Sequence, residues 1–168
     1  MHNGAYEKAI HFYSEALRRD PNHVPSITQT GFARLNLKDQ DRAEQMFRIA
    51  VELDENEFSA YLGLSECLRS RRRYKEQLDC VRAAYRISPE NSEVLNYLGI
   101  AYQCNQDIDR AEIAYLLSLR MEPTNRKAAN NLAYLYEKQF RKAERTEDAA
   151  SLREQAIQAW EVRLLACR

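Results

Sequence analysis

Three prolines, Pro21, Pro89 and Pro123, are separated by 34 residues or twice that, and Glu55 fills the vacant step. Their surroundings agree: RRDPN, ELDEN, RISPE and RMEPT. Other columns keep the same step. Tyr13, Phe47, Val81 and Tyr115 form one; Ala16, Ala50, Ala84 and Ser118 form a second; the small residues Gly31, Ser65, Gly99 and Ala133 form a third. Ala9, Ala43 and Ala111 are in phase too, with Gln77 as the exception. A register kept across residues 4–133 is the strongest constraint on the fold. Like units must fold alike, and each must bury its apolar face on its neighbours.

Within a step the apolar spacing is helical, as in Leu95, Leu98 and Tyr102. The 168 residues include only four glycines and four prolines and no run of alternating β-branched residues, so the chain reads as all-α. Each unit is a helix–turn–helix, with breaks such as Asp39-Gln40 and Asp107-Ile108 between its halves. The proline or acidic residue ends the second helix, because proline cannot continue it and biases the preceding residue away from helix. Gly99 falls inside a leading helix, where it costs about 1 kcal/mol relative to alanine. Close approach of the partner helix near Ala111 offsets that loss.

This pattern resembles the tetratricopeptide repeat family. The third unit carries it best, in Leu95, Leu98-Gly99, Tyr102, Ala111, Tyr115 and Pro123. The resemblance implies a right-handed α-solenoid of antiparallel helix pairs. The expected organisation is a half repeat over residues 1–23 (second helix only), repeats over 24–57, 58–91 and 92–125, and a divergent, elongated helical hairpin over 126–168. The hairpin's helices are expected over 126–147 and 149–166, with Ala149, Leu152, Ala156, Trp160 and Leu164 as the buried stripe. Arg34 replaces an expected aromatic, Gln77 an expected small alanine, and Arg72 a usual turn glycine, so the first two repeats should pack less tightly. In the half repeat, Tyr6, Ala9, Tyr13 and Ala16 face a leading helix that residues 1–23 do not hold. A piece of a longer array is the favoured reading there, with self-association through the uncovered helix as its corollary.

Composition narrows the function. Lys+Arg and Asp+Glu are both 25, a balance that does not suit a nucleic-acid backbone. No stretch approaches the roughly 18 apolar residues of a membrane span. Cys67, Cys80, Cys104 and Cys167 are scattered, and His2, His11 and His23 lack metal-ligand spacing. No metal, cofactor or enzymatic activity is therefore expected, and the thiols suit a reducing, cytoplasmic setting. The basic run Arg69, Arg71, Arg72, Arg73, Lys75 reads as a solvated turn or as a site for an acidic partner segment.

On a wheel of 100° per residue each leading helix has an inward face and an opposite one. In the family that second face lines a concave groove where extended peptides bind. The resemblance therefore assigns a peptide-binding face to Thr28, Gln29, Phe32 and Asn36; to Leu62, Glu66 and Arg69; to Asn96, Tyr97, Ile100 and Gln103; and to Lys127, Asn130, Asn131 and Tyr134. Amides there can serve a peptide backbone, and the rings and Ile100 can hold apolar side chains. The clamp that related domains use for acidic chaperone tails is not matched, since Thr28 or Leu62 and Phe32 or Glu66 occupy its first Lys and Asn places. The expected function is a non-enzymatic interaction scaffold binding a protein or peptide. The alternative is an architectural segment of a longer protein.

Overall fold

In the computed structural model, residues 3–143 together with 154, 155, 157 and 158 are described. They hold eight helices and, among the described residues, no strand. The fold is all-α, of the solenoid class built from helix pairs. The chain divides into two compact bodies, Met1–Ser88 and Pro89–Arg168. Of the expected second helix of the last hairpin, residues 154, 155, 157 and 158 are described and are helical, whereas Ala149, Leu152, Ala156, Trp160 and Leu164 lie outside the described residues.

The N-terminal body contains α1 (Asn3–Arg19), α2 (Val24–Asn36), α3 (Gln40–Leu53), α4 (Phe58–Ser70) and α5 (Tyr74–Ile87). α2 packs on α1, α3 and α4, and α4 packs also on α3 and α5. The C-terminal body contains α6 (Ser92–Cys104), α7 (Ile108–Met121) and α8 (Arg126–Ala143), each packed on the other two. A leading helix is thus held on several sides.

The turn inside each pair has one solution, used three times. Lys38, Arg72 and Gln106 take φ of 65°, 58° and 64°. The next amide reaches back five residues: Asp39 N–H donates to Arg34 O at 3.0 Å, Arg73 to Leu68 O at 2.9 Å, and Asp107 to Tyr102 O at 3.0 Å. These are left-handed helix terminations of the Schellman type, made here without glycine. Helix starts are capped unevenly. Asn91 Oδ1 accepts from the amides of Glu93 and Val94 at 2.9 and 3.1 Å, and Asp107 from Arg110 at 3.3 Å. Asp39 instead receives Arg34 Nη1 at 3.0 Å, so the arginine that replaces the aromatic is tied to the turn.

Phe47 and Tyr115 are fully buried, and each lies against a glycine of its own leading helix. A Cβ at Gly31 would fall 2.7 Å from the Phe47 ring, and one at Gly99 would overlap Tyr115 more severely. Phe47 also lies against Gly63 of α4, whose Cβ would overlap the same ring. The second repeat solves the packing differently. It has Val81 in the aromatic column, Ser65 in the glycine column, and Gln77 filling the alanine place, all fully buried. Ser65 Oγ donates to Leu62 O at 2.7 Å, whereas both amide atoms of Gln77 are buried without a partner.

Part of the basic run is paired inside the N-terminal body. Arg71 pairs with Asp41 and reaches Glu44 at 3.2 Å, while Arg73 reaches Glu44 at 3.5 Å and donates to Glu76 at 2.7 Å. Glu44, only 8% exposed, also receives Arg48 at 2.7 Å. The run therefore joins the α4–α5 turn to α3.

Two outcomes test this packing in urea unfolding. Gly99→Leu is expected to lose more than about 2 kcal/mol through overpacking. Gln77→Met is expected to gain about 1 kcal/mol, because it keeps the volume and removes an unpaired buried amide.

Candidate functional site

The leading helices α2, α4, α6 and α8 carry the residues expected to line a groove. The structure sorts them into three groups. Thr28, Leu62 and Asn96 are each only 2% exposed, so they do not lie on an open face. The wheel turned them outward because it treats a helix as packed on one side. Here Thr28 belongs to a helix packed on three others, and Asn96 Oδ1 accepts from Asn131 Nδ2 of α8 at 2.9 Å. Asn130 occupies the same repeat position as these three and is exposed.

A second group is half-committed to the body that bears it. Phe32 stacks edge-on to Phe47 with ring centroids 5.0 Å apart, and Ile100 packs against the core of α7 and α8. Gln103 Oε1 accepts the Tyr115 hydroxyl at 2.8 Å, and Asn36 Nδ2 donates to Phe32 O at 2.8 Å. Glu66 and Arg69 form an ion pair, with Arg69 Nε 3.2 Å from Glu66 Oε2. Tyr97 is half-buried.

The third group presents polar or aromatic surface. Gln29 is exposed on α2. On α8, Lys127, Asn130, Asn131 and Tyr134 follow the i, i+3, i+4, i+7 spacing of one helix face. Lys127 Nζ lies 3.6 Å from Glu93, Asn131 is held by Asn96, and Tyr134 is 57% exposed. A cavity of about 290 Å³ continues this face at the start of α8, lined by Glu93, Asn96, Glu122, Thr124, Asn125, Arg126 and Lys127. Its lining residue Asn125 is tied to a buried polar cluster: Asn125 Nδ2 donates to Ser92 Oγ at 2.5 Å, Ser118 Oγ donates to Ser92 O at 2.7 Å, and Asn125 Oδ1 caps α8 through the Ala128 amide at 3.1 Å. Sequence reasoning missed this polar cluster. Ser118 in an alanine column was the available signal.

Burial pushes the Cys67 thiol up to about 12 and the Cys80 thiol up to about 11. Burial and the Glu112 carboxylate that accepts its hydroxyl raise Tyr136 as well. Among the described residues no group of three or more His, Cys, Asp or Glu side chains could hold a metal ion, and no helix is long and apolar enough to cross a membrane.

One outcome separates framework from surface on α8. Asn131→Ala strands the buried Asn96 carbonyl oxygen and is expected to cost about 1–3 kcal/mol in urea unfolding. Asn130→Ala, at an exposed neighbouring position, is expected to change stability by less than about 0.5 kcal/mol.

Comparison with known proteins agrees with this architecture. Tetratricopeptide repeat models match residues 32–92 and residues 1–23. Heat shock protein STI1 of Saccharomyces cerevisiae is 30% identical over 112 residues, which are 66% of this chain and 19% of that protein. The chain thus spans about a fifth of the length of that relative. Among solved structures, TTC0263, a thermophilic TPR protein of Thermus thermophilus, superposes with a TM-score of 0.75 at 21% identity, covering 98% of this chain and 90% of the other. YrrB, described as a TPR protein with an unusual peptide-binding site, superposes with a TM-score of 0.68 at 20% identity, covering 98% and 82%. The chain belongs to the tetratricopeptide repeat family.

Proposed function

We propose that this chain is a non-enzymatic interaction module that binds a peptide or helical segment of a partner protein on its leading-helix face. Lys127, Asn130, Asn131 and Tyr134 of α8 form the principal strip. The observation that carries this reading is Tyr134, a ring left 57% exposed one helical turn from the exposed Asn130. Tyrosine supplies rigid contact area with a polar end, and an amide beside it can both donate to and accept from a peptide backbone. Asn131 is held by Asn96, so the strip is pre-organised and little side-chain entropy is lost on binding. The adjoining cavity gives one peptide side chain a recess. In the N-terminal body, Gln29, Phe32, Asn36, Glu66 and Arg69 offer a lesser surface, because most are engaged internally. Thr28, Leu62 and Asn96 act as packing residues beneath these faces. YrrB, with its peptide-binding site, supports the reading by analogy of fold.

Burial of one or two side chains with backbone hydrogen bonds corresponds to micromolar affinity, about −8 kcal/mol. Peptides selected on the wild-type chain from a random phage-displayed library provide the probe. Tyr134→Ala and Asn130→Ala are each expected to weaken the selected peptides tenfold or more, about 1.4 kcal/mol, in fluorescence anisotropy. Ile113→Ser, on the exposed side of α7, is expected to leave binding unchanged. Equal affinity across the three variants, or a loss confined to Ile113→Ser, overturns the proposal.

A further inference from the structure

The second helix of the third repeat carries apolar residues at outward positions where the earlier ones are polar. On α7, Ile113 and Leu116 are 57% and 47% exposed. The same repeat positions hold Gln45 and Arg48 on α3, and Asp79 and Arg82 on α5. Packing within the repeat does not use these positions, because the fully buried columns of α7 are Ala111, Tyr115 and Ser118.

Opposite charges bracket the two apolar residues. Asp109, Ile113, Leu116 and Arg120 are all exposed, and they fall within about 60° of arc at 100° per residue. Asp109 and Arg120 have no ion-pair partner among the described residues. The helix dipole favours an acid in the first turn and a base in the last, and that alone accounts for the two ends. It does not account for the apolar pair between them. Nor do the other second helices share the pattern: the corresponding ends are Asp41 and Glu52 on α3, and Lys75 and Arg86 on α5.

The stripe on α7 reads alike in both directions. Its steps are four, three and four residues, the spacing of a coiled-coil seam. Turned end for end on a second copy, it sets Ile113 against Leu116 twice and each Asp109 against an Arg120. A parallel arrangement sets like charges together instead. A surface that complements itself under a two-fold rotation is what a symmetric dimer requires.

We infer that the exposed face of α7 is a self-association surface, on which a second copy of this chain docks its own α7 in antiparallel orientation. A single helix seam lies below the roughly 1,200 Å² of a standard interface, so the dimer is weak, with a dissociation constant of about 100 μM. The surface is independent of the α8 strip, because the chain is monomeric at the micromolar concentrations of a peptide titration.

Sedimentation equilibrium of the whole chain up to about 1 mM is the test, with circular dichroism to show that each variant is folded. The wild type is expected to show a reversible monomer–dimer equilibrium. Asp109→Arg and Arg120→Asp, both at exposed positions, are each expected to weaken it at least tenfold, because each sets like charges face to face. An equimolar mixture of these two variants is expected to dimerise again, since each supplies the charge that the other has lost. Leu116→Ser is expected to weaken dimerisation at least tenfold. Three results overturn the inference. One is a wild type that stays monomeric to 1 mM, as it would if another segment of the same polypeptide or a different protein occupied the face. The others are dimerisation indifferent to the single charge reversals, and a mixture no more dimeric than its components.

Discussion

The architecture depends on an aromatic ring set directly on the backbone of the facing helix. Phe47 on Gly31 and Gly63, and Tyr115 on Gly99, bring helices closer than any side chain at those places permits. Glycine inside a helix is unfavourable by about 1 kcal/mol. A fully buried aromatic side chain contributes about 1.5–3 kcal/mol, so the exchange favours the packed pair. The second repeat shows that the constraint is on volume rather than identity. With valine in the ring's place, glutamine fills the adjacent space, and its amide is left without partners.

The same closeness shapes the candidate binding surface. Because leading helices touch neighbouring leading helices, a strip of each becomes interior. Thr28, Leu62 and Asn96 fall on it, and Asn96 is tied to Asn131 of the next leading helix. What remains outward is narrower than a helical wheel allows and is concentrated on α8. Its order comes from beneath, from the Asn96 contact and from the Ser92, Ser118 and Asn125 cluster that anchors the start of that helix.

Charge works locally. The run of arginines is conspicuous in sequence, yet Asp41, Glu44, Glu66 and Glu76 of the same body answer Arg69, Arg71 and Arg73. Glu44 shows the logic. A mostly buried carboxylate needs partners, and it takes Arg48 from its own helix and Arg71 and Arg73 from the following turn. Arg71 and Arg73 thus serve as internal wiring between α3 and the α4–α5 turn.

Periodicity alone determined the helix-pair class, the all-α character and the columns that meet in the core. It could do so because a 34-residue step repeats the same local physics until Gly99, Tyr115 and their counterparts declare their roles. It also determined that α1 has the composition of a second helix. The tertiary structure decided which outward residues stay outward. Burial between neighbouring helices depends on residues 34 positions away, and a wheel drawn for one helix does not contain them. Asn96 and Asn130 occupy the same repeat position, yet one is interior and the other open. At Arg72 the register marked a place where a glycine usually turns the chain, whereas the left-handed turns at Lys38 and Gln106 were hidden, because backbone hydrogen bonds rather than a glycine signature hold them.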